Sequence, residues 1–167
     1  MSRRLLVADS GPLIALGRLG LLRLPIQLFD DVLVTLSVWD EVAGGQARAE
    51  HGPLDDARQA GWLSVVPDPD VIAPTFAGIR LLDSGECMAL TLCMSLAPGC
   101  DVLFDERRGR AAAEQAGLSV LGTLGLLVRA RQLELIGPVR PLFEHLLNSG
   151  YHLGRSLVAE TLASLGE

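Results

Sequence analysis

The sequence predicts an α/β fold with three layers, a central parallel sheet of about five strands held between helices. Three observations carry that expectation. Short apolar runs alternate with stretches of helical periodicity along the chain, the order produced when strands return to one sheet through crossover helices. The apolar runs are continuous rather than alternating, as in strands covered on both faces. One helical stretch, opening at Asp83-Ser84-Gly85-Glu86 and running to Ala97, is apolar on nearly every side, so it belongs in an interior. At 167 residues, 49% hydrophobic and 20% charged, the chain suits one ordinary core. A single domain over 1–167 is expected, with 139–167 as a C-terminal helical extension packed on it.

The elements follow in order. Leu5 to Ala8 is a strand ending at Asp9, and Asp9-Ser10-Gly11-Pro12 supplies caps, a bend and an early-helix proline before helical pattern at Leu13 to Leu19 and around Leu21 to Phe29. Val32 to Leu36 reads as the second strand, after which Ser37 caps a helix carrying Trp39, Glu41 and Val42. The polar, glycine-containing connection Gly44 to Pro53 leads to a short helix, Leu54 to Ala60, and a strand, Trp62 to Val66. Pro67 to Ala77, rich in proline and aspartate, reads as a mobile loop. Pro98-Gly99 ends the apolar helix, Val102 to Phe104 is a strand, and Asp105 begins a helix that runs to Ala116 and stops at Gly117. Leu118 to Leu121 is the fifth strand. Helices near Thr123 to Leu133, Val139 to Leu147 and Ser156 to Leu165 complete the chain.

Composition excludes several kinds of chemistry. The formal net charge of −6 argues against a broad basic face for nucleic acid. All 14 basic residues are Arg, so mechanisms that need a lysine, among them Walker phosphate loops and Schiff bases, are out. Aromatic residues, 4% of the chain, are too few and scattered for a base-stacking platform. Cys87, Cys93 and Cys100 form no CxxC pair and suit a reduced cytosolic compartment. Asp9 breaks the first apolar run too early for a signal peptide, and Cys87 to Cys100 is short of the roughly 20 residues that span a bilayer. A cytoplasmic protein with no membrane partner is expected.

In such a sheet, ligands bind beyond the carboxyl ends of the strands, near the point where strand order reverses. Asp9 follows the first strand and Asp105 the fourth. Glu86 is the charged residue in the first turns of the apolar helix that feeds the Asp105 strand, and Glu41 lies about one turn into the helix after the second strand. Carboxylates converging on one crevice repel unless protons or hard divalent cations are present. Each also has a structural reading: Asp9, Ser10 and Asp105 as helix caps, Asp83 with Glu86 as a capping box, and Glu41 as a solvated helix residue. Arg107, Arg108 and Arg110 follow Asp105 where guanidinium groups can grip phosphates, or simply pair on the surface, as Arg110 with Glu114. The histidines show no metal-ligand spacing.

The strings VADSGPLIAL, VWDEV, LDSGECMAL and VLFDERRGRAAAEQAGL, in that order and spacing, resemble the successive motifs of PIN domains, in particular the bacterial and archaeal PIN-like proteins related to VapC toxins. The tail GTLGLLVRARQLELIG and LLNSGYHLGRSLV resembles the same subgroup. The resemblance implies a Rossmann-like PIN fold and a metal-dependent endoribonuclease using Mg2+ or Mn2+. Carried over, the family's acids fall on Asp9, Glu41, Glu86 and Asp105. Two features depart from the commonest VapC pattern: Glu86 stands where aspartate is usual, and Phe104 precedes Asp105 without the usual nearby Thr.

On this reading Asp9, Glu86 and Asp105 hold one or two ions, and Glu41 completes the shell or acts through water. Metal-activated water then attacks an RNA phosphorus in line and a 3′-hydroxyl leaves. Ser10 either orients a metal-bound water or caps its helix. Glu106 is an outer ligand or a dipole partner, Arg107 and Arg110 are candidate phosphate contacts, and Thr123 is a candidate at the rim. The resemblance also implies a homodimer and a small antitoxin that covers the acidic site. Leu142 with Leu146 and Phe143 with Leu147, at helical spacing, serve either the core or such an interface. A phosphatase or nucleotidase is weakened by the lack of a DxDxT-like motif and of Lys. The alternative from a different class is a catalytically inactive PIN-like module that binds RNA or a protein.

Overall fold

The computed structural model describes residues 3–43, 51–70 and 78–167. The anticipated Gly44–Pro53 connection and Pro67–Ala77 loop fall for the most part outside those residues. Among the described residues, five strands form one parallel sheet: β1 (Leu5–Ala8), β2 (Asp31–Thr35), β3 (Leu63–Val66), β4 (Cys100–Leu103) and β5 (Ser119–Leu121), in the order β3-β2-β1-β4-β5. The chain builds outward from β1 to β3, then crosses back to lay β4 on the other side of β1 and β5 beyond it. The strand order therefore reverses between β1 and β4, where a crevice opens at the strand ends. Central position explains the sequence of β1: Leu6, Val7 and Ala8 are wholly buried, with Leu5 paired to Cys100 and Ala8 to Leu103.

Helices cover both faces: α1 (Ser10–Arg18), α2 (Leu24–Leu28), α3 (Leu36–Ala43), α4 (His51–Gln59), α5 (Ser84–Leu96), α6 (Arg107–Gln115), α7 (Thr123–Gln132), α8 (Arg140–Asn148) and α9 (Arg155–Leu165). The apolar helix expected in the interior is α5. It packs on β1, β2, β4 and α3, with Ala89, Leu90 and Cys93 wholly buried. The Ala97–Pro98 peptide after it is cis, and Gly99 follows with φ of +107°, a conformation that favours glycine.

Three helix starts differ from the sequence expectation, each for a local reason. The second strand stops at Thr35, whose Oγ1 accepts from the N–H of Val38 at 3.4 Å. Ser37 is thus inside α3 rather than its cap, and its N–H and hydroxyl both donate to Asp68. Helix α1 starts at Ser10, ahead of Pro12, and Asp9 holds the N-cap position without a side-chain capping bond. Helix α6 starts at Arg107 with Glu106 at the N-cap, which leaves the Asp105 side chain out of the helix end altogether.

The C-terminal helices share the main core. Val139, Phe143, Val158 and Leu162 belong to the same buried cluster as the sheet, and Leu146 is wholly buried. Leu142 and Leu147 are half-buried against that cluster, so both apolar pairs face the core. The last residue is tied down too: Glu167 accepts from Arg131 Nε at 3.1 Å and from the N–H of Arg140 at 3.0 Å. Among the described residues no helix is long and apolar enough to cross a membrane.

Candidate functional site

The crevice at the ends of β1 and β4 is an acidic cavity of about 590 Å³. Two backbone bonds build its floor. The N–H of Asp9 donates to Leu103 O at 3.2 Å, extending the β1–β4 ladder by a residue, and that of Phe104 donates to Leu121 O at 2.9 Å. Asp9 is thereby fixed beside the end of β4, and Asp105 emerges at the next position of that strand's path. Asp9, Asp83, Glu86, Asp105 and Glu106 line the cavity, together with Ser10, Arg18 and Arg107.

Asp9 and Glu86 are the deep acids, only 7% and 5% exposed. The Asp9 carboxyl is pushed up to about 7, chiefly by burial. A backbone hydrogen bond from Ser10 opposes that rise, and the charges of Glu86, Asp83 and Glu41 add to it. Glu86 is pushed up to about 6, again first by burial and then by Asp83, with smaller contributions from Glu106 and Glu41. The Asp83–Glu86 capping box does form: Asp83 Oδ1 accepts from the Glu86 N–H at 2.8 Å, and Glu86 Oε2 accepts from the Asp83 N–H at 3.3 Å. That accounts for one oxygen of Glu86. The other, Oε1, is buried and has no hydrogen-bond partner. Helix α6 makes room for it with a glycine, since a Cβ on Gly109 would lie 2.7 Å from that oxygen.

Asp105 is hydrogen-bonded on both oxygens, where Glu86 is not. Its Oδ1 accepts from the Thr123 N–H at 2.6 Å, and its Oδ2 accepts from Thr123 Oγ1 at 2.6 Å and from the Tyr151 hydroxyl. Burial and the adjacent Asp105 carboxylate push the Tyr151 phenol up, so it stays protonated and donates. Thr123, expected at the rim, is wholly buried at the start of α7, and its hydroxyl is spent on Asp105.

The four carboxylates picked out in the sequence are not equally placed. Asp9, Glu86 and Asp105 share the cavity. Glu41 is exposed on α3 and does not line it; its carboxylate rests against the first turn of α5, 2.6 Å from where a Gly85 Cβ would sit. It acts on the deep pair through its charge. Arg107 lines the cavity, while Arg108 faces a separate hollow beside Leu81. Arg110 donates to Phe104 O at 3.4 Å, and its Nη1 lies 2.6 Å from the point a Gly122 Cβ would occupy.

Sequence reasoning missed Arg18, Tyr151 and His152, which line the cavity. Arg18 ends α1 and donates to Ser149 O at 3.3 Å, a contact across 131 residues of chain. Tyr151 is the one tyrosine in the sequence, standing between Gly150 and His152. That singularity was the available signal.

As the side chains stand, no three Asp, Glu, His or Cys among the described residues are grouped to hold one metal ion. The donors nevertheless fit a hard divalent cation. They are carboxylate oxygens, one is buried without a partner, and burial and mutual repulsion penalise charge on two of them. A cation between them would relieve both.

A family model described as PIN domain matches residues 5–167. No curated protein matches the chain.

Proposed function

We propose, because the chain belongs to the PIN-domain family, that it is an endoribonuclease hydrolysing RNA phosphodiester bonds at this cavity with Mg2+ or Mn2+. PIN domains are generally nucleases that use divalent ions. The observation that carries the reading is Glu86 Oε1, a buried carboxylate oxygen without a partner, in the same cavity as an Asp9 whose carboxyl is pushed up to about 7. Such an arrangement weakens a fold and is explained by a positive charge that function brings to it.

Asp9, Glu86 and Asp105 would hold one or two ions, with Glu41 adding negative charge from α3. A bound divalent ion supplies Lewis acidity toward the phosphate and a water made acidic enough to attack near neutral pH. The protein does the rest. Arg18 and Arg107 line the cavity, and Arg107 is the candidate to hold phosphate oxygens there. Ser10, the first residue of α1, also lines the cavity. Thr123 and Tyr151 donate the hydrogen bonds that Asp105 accepts. In-line attack by water breaks the phosphorus–oxygen bond and leaves a 3′-hydroxyl on one fragment. Toxin activity restrained by a small antitoxin, a homodimer and a cytoplasmic location are further parts of the proposal. A small open reading frame beside the gene and a two-copy mass by light scattering would support the first two.

The test is cleavage of single-stranded and structured RNA with Mn2+ or Mg2+ by the wild type, Asp9→Asn and Asp105→Asn. Metal-dependent cleavage by the wild type, reduced roughly a hundredfold or more in each variant, supports the proposal. Equal cleavage by all three overturns the assignment. No cleavage by any of them favours the inactive binding module.

A further inference from the structure

We infer that Tyr151 is a positioning residue for Asp105, so that the turn after α8 completes the site begun at β1. This rests on the reading of Asp105 as an ion-holding carboxylate. Asp105 lies between the end of β4 and the start of α6 and gives nothing to the helix cap. A carboxylate at a strand end, unused by its own neighbours, can rotate about two torsions. Its orientation must come from donors elsewhere. They come from two elements distant in sequence: Thr123 at the head of α7 gives two hydrogen bonds, and Tyr151 gives the third.

Counting lone pairs shows what the phenol adds. Each carboxylate oxygen accepts about two hydrogen bonds. Thr123 Oγ1 and the Tyr151 hydroxyl together fill Oδ2, whereas Oδ1 accepts, among the described residues, the Thr123 N–H alone and keeps one acceptor position. Without the phenol, the carboxylate is free to turn about its last torsion. With it, Oδ2 is held at the Tyr151 side, and Oδ1 lies toward α7, 3.2 Å from where a Gly122 Cβ would sit.

The segment carrying Tyr151 is itself held. Its N–H donates to Leu146 O at 3.0 Å, its carbonyl accepts from Leu153 at 3.1 Å, and Gly150, at φ +79°, makes the reversal that sends the ring back toward the sheet. The hydroxyl also passes over the first turn of α1, 3.7 Å from where a Gly11 Cβ would sit. One phenol thus bridges the helix that follows Asp9 and the strand end that carries Asp105. Packing alone would need only the ring.

The experiment is calorimetric titration of the full chain with Mn2+, comparing wild type, Asp105→Asn, Tyr151→Phe, Tyr151→Leu and the Asp105→Asn/Tyr151→Phe double variant. Tyr151→Phe keeps the ring and removes only the donor. It is expected to bind Mn2+ about 10- to 100-fold more weakly, the usual loss when a partner of a metal ligand is removed. The double variant is expected to bind no more weakly than Asp105→Asn, because the phenol acts through that carboxylate. In RNA cleavage, kcat falls while KM holds. Wild-type affinity in Tyr151→Phe with loss only in Tyr151→Leu would make the residue a packing element and overturn the inference, leaving the metal reading intact. Failure of the wild type itself to bind Mn2+ would overturn both.

Discussion

On the α1–α5 side of the cavity two carboxylates are buried, one oxygen has no partner, and both carboxyls are pushed toward neutrality. On the α7 side, a few residues of sheet away, Asp105 accepts three hydrogen bonds. The difference separates two jobs. Asp9 and Glu86 carry an uncompensated cost that the rest of the fold must outweigh, as expected where function rather than stability selects the residue. Asp105 is held by a scaffold that adds to stability while fixing geometry. Substitutions on the two sides should therefore move the metal-free protein in opposite directions.

The largest effect is expected from Asp9→Asn, which keeps shape and removes the buried charge. Because the folded carboxyl titrates near 7, above its ordinary 3.8, the native state binds this proton more tightly than the unfolded chain does. Metal-free wild type should then lose stability as pH rises from about 4 to 7, and Asp9→Asn should flatten that slope. At pH 8 the variant is expected to melt roughly 5 °C higher than metal-free wild type, with the gain gone near pH 4. A lower melting temperature at pH 8 would break the comparison.

Thr123→Val tests the other side. It deletes a buried hydroxyl donor to a charged acceptor and should cost about 2 kcal/mol in denaturant unfolding, with or without metal. An unchanged midpoint would mean that Asp105 is not held as described.

Two glycines give the sharpest contrast, and Gly85 the smallest effect. A methyl on Gly109 meets Glu86 Oε1 at 2.7 Å and the buried Phe104 ring at 3.0 Å, neighbours with no room to yield. Gly109→Ala should cost about 1–3 kcal/mol. A methyl on Gly85 meets the carboxylate of Glu41 at 2.6 Å, the far end of an exposed side chain that can swing away. Gly85→Ala should stay within about 0.5 kcal/mol of wild type. Equal losses in the two would show that Glu41 is as tightly placed as Glu86.

Much of this was legible in the sequence because continuous apolar runs and a helix apolar on every side leave few ways to pack. The strand ends then carry Asp9 and Asp105 to one crevice wherever the sheet order reverses. Glu86 was visible as a charge in an otherwise apolar helix. What could not be read are contacts made across the fold. The Tyr151 hydroxyl reaches Asp105 over 46 residues, and Arg18 reaches Ser149 over 131. Glu41 was placed by counting turns along α3, which fixes the distance from β2 but not the face, and the side chain lies against Gly85 outside the cavity. Ser37 and Thr35 compete for one helix start. The presence of Asp68, from beyond β3, decides between them.

The central claim is that the deep acids Asp9 and Glu86 take a divalent cation. Thermal melting at pH 8 with and without saturating Mn2+, for wild type and Asp9→Asn side by side, tests it most directly. Saturation at about a hundred times Kd corresponds to about 2.7 kcal/mol. The wild type should therefore melt several degrees higher with Mn2+, while Asp9→Asn should barely move. No rise in the wild type, or the same rise in both proteins, would contradict it.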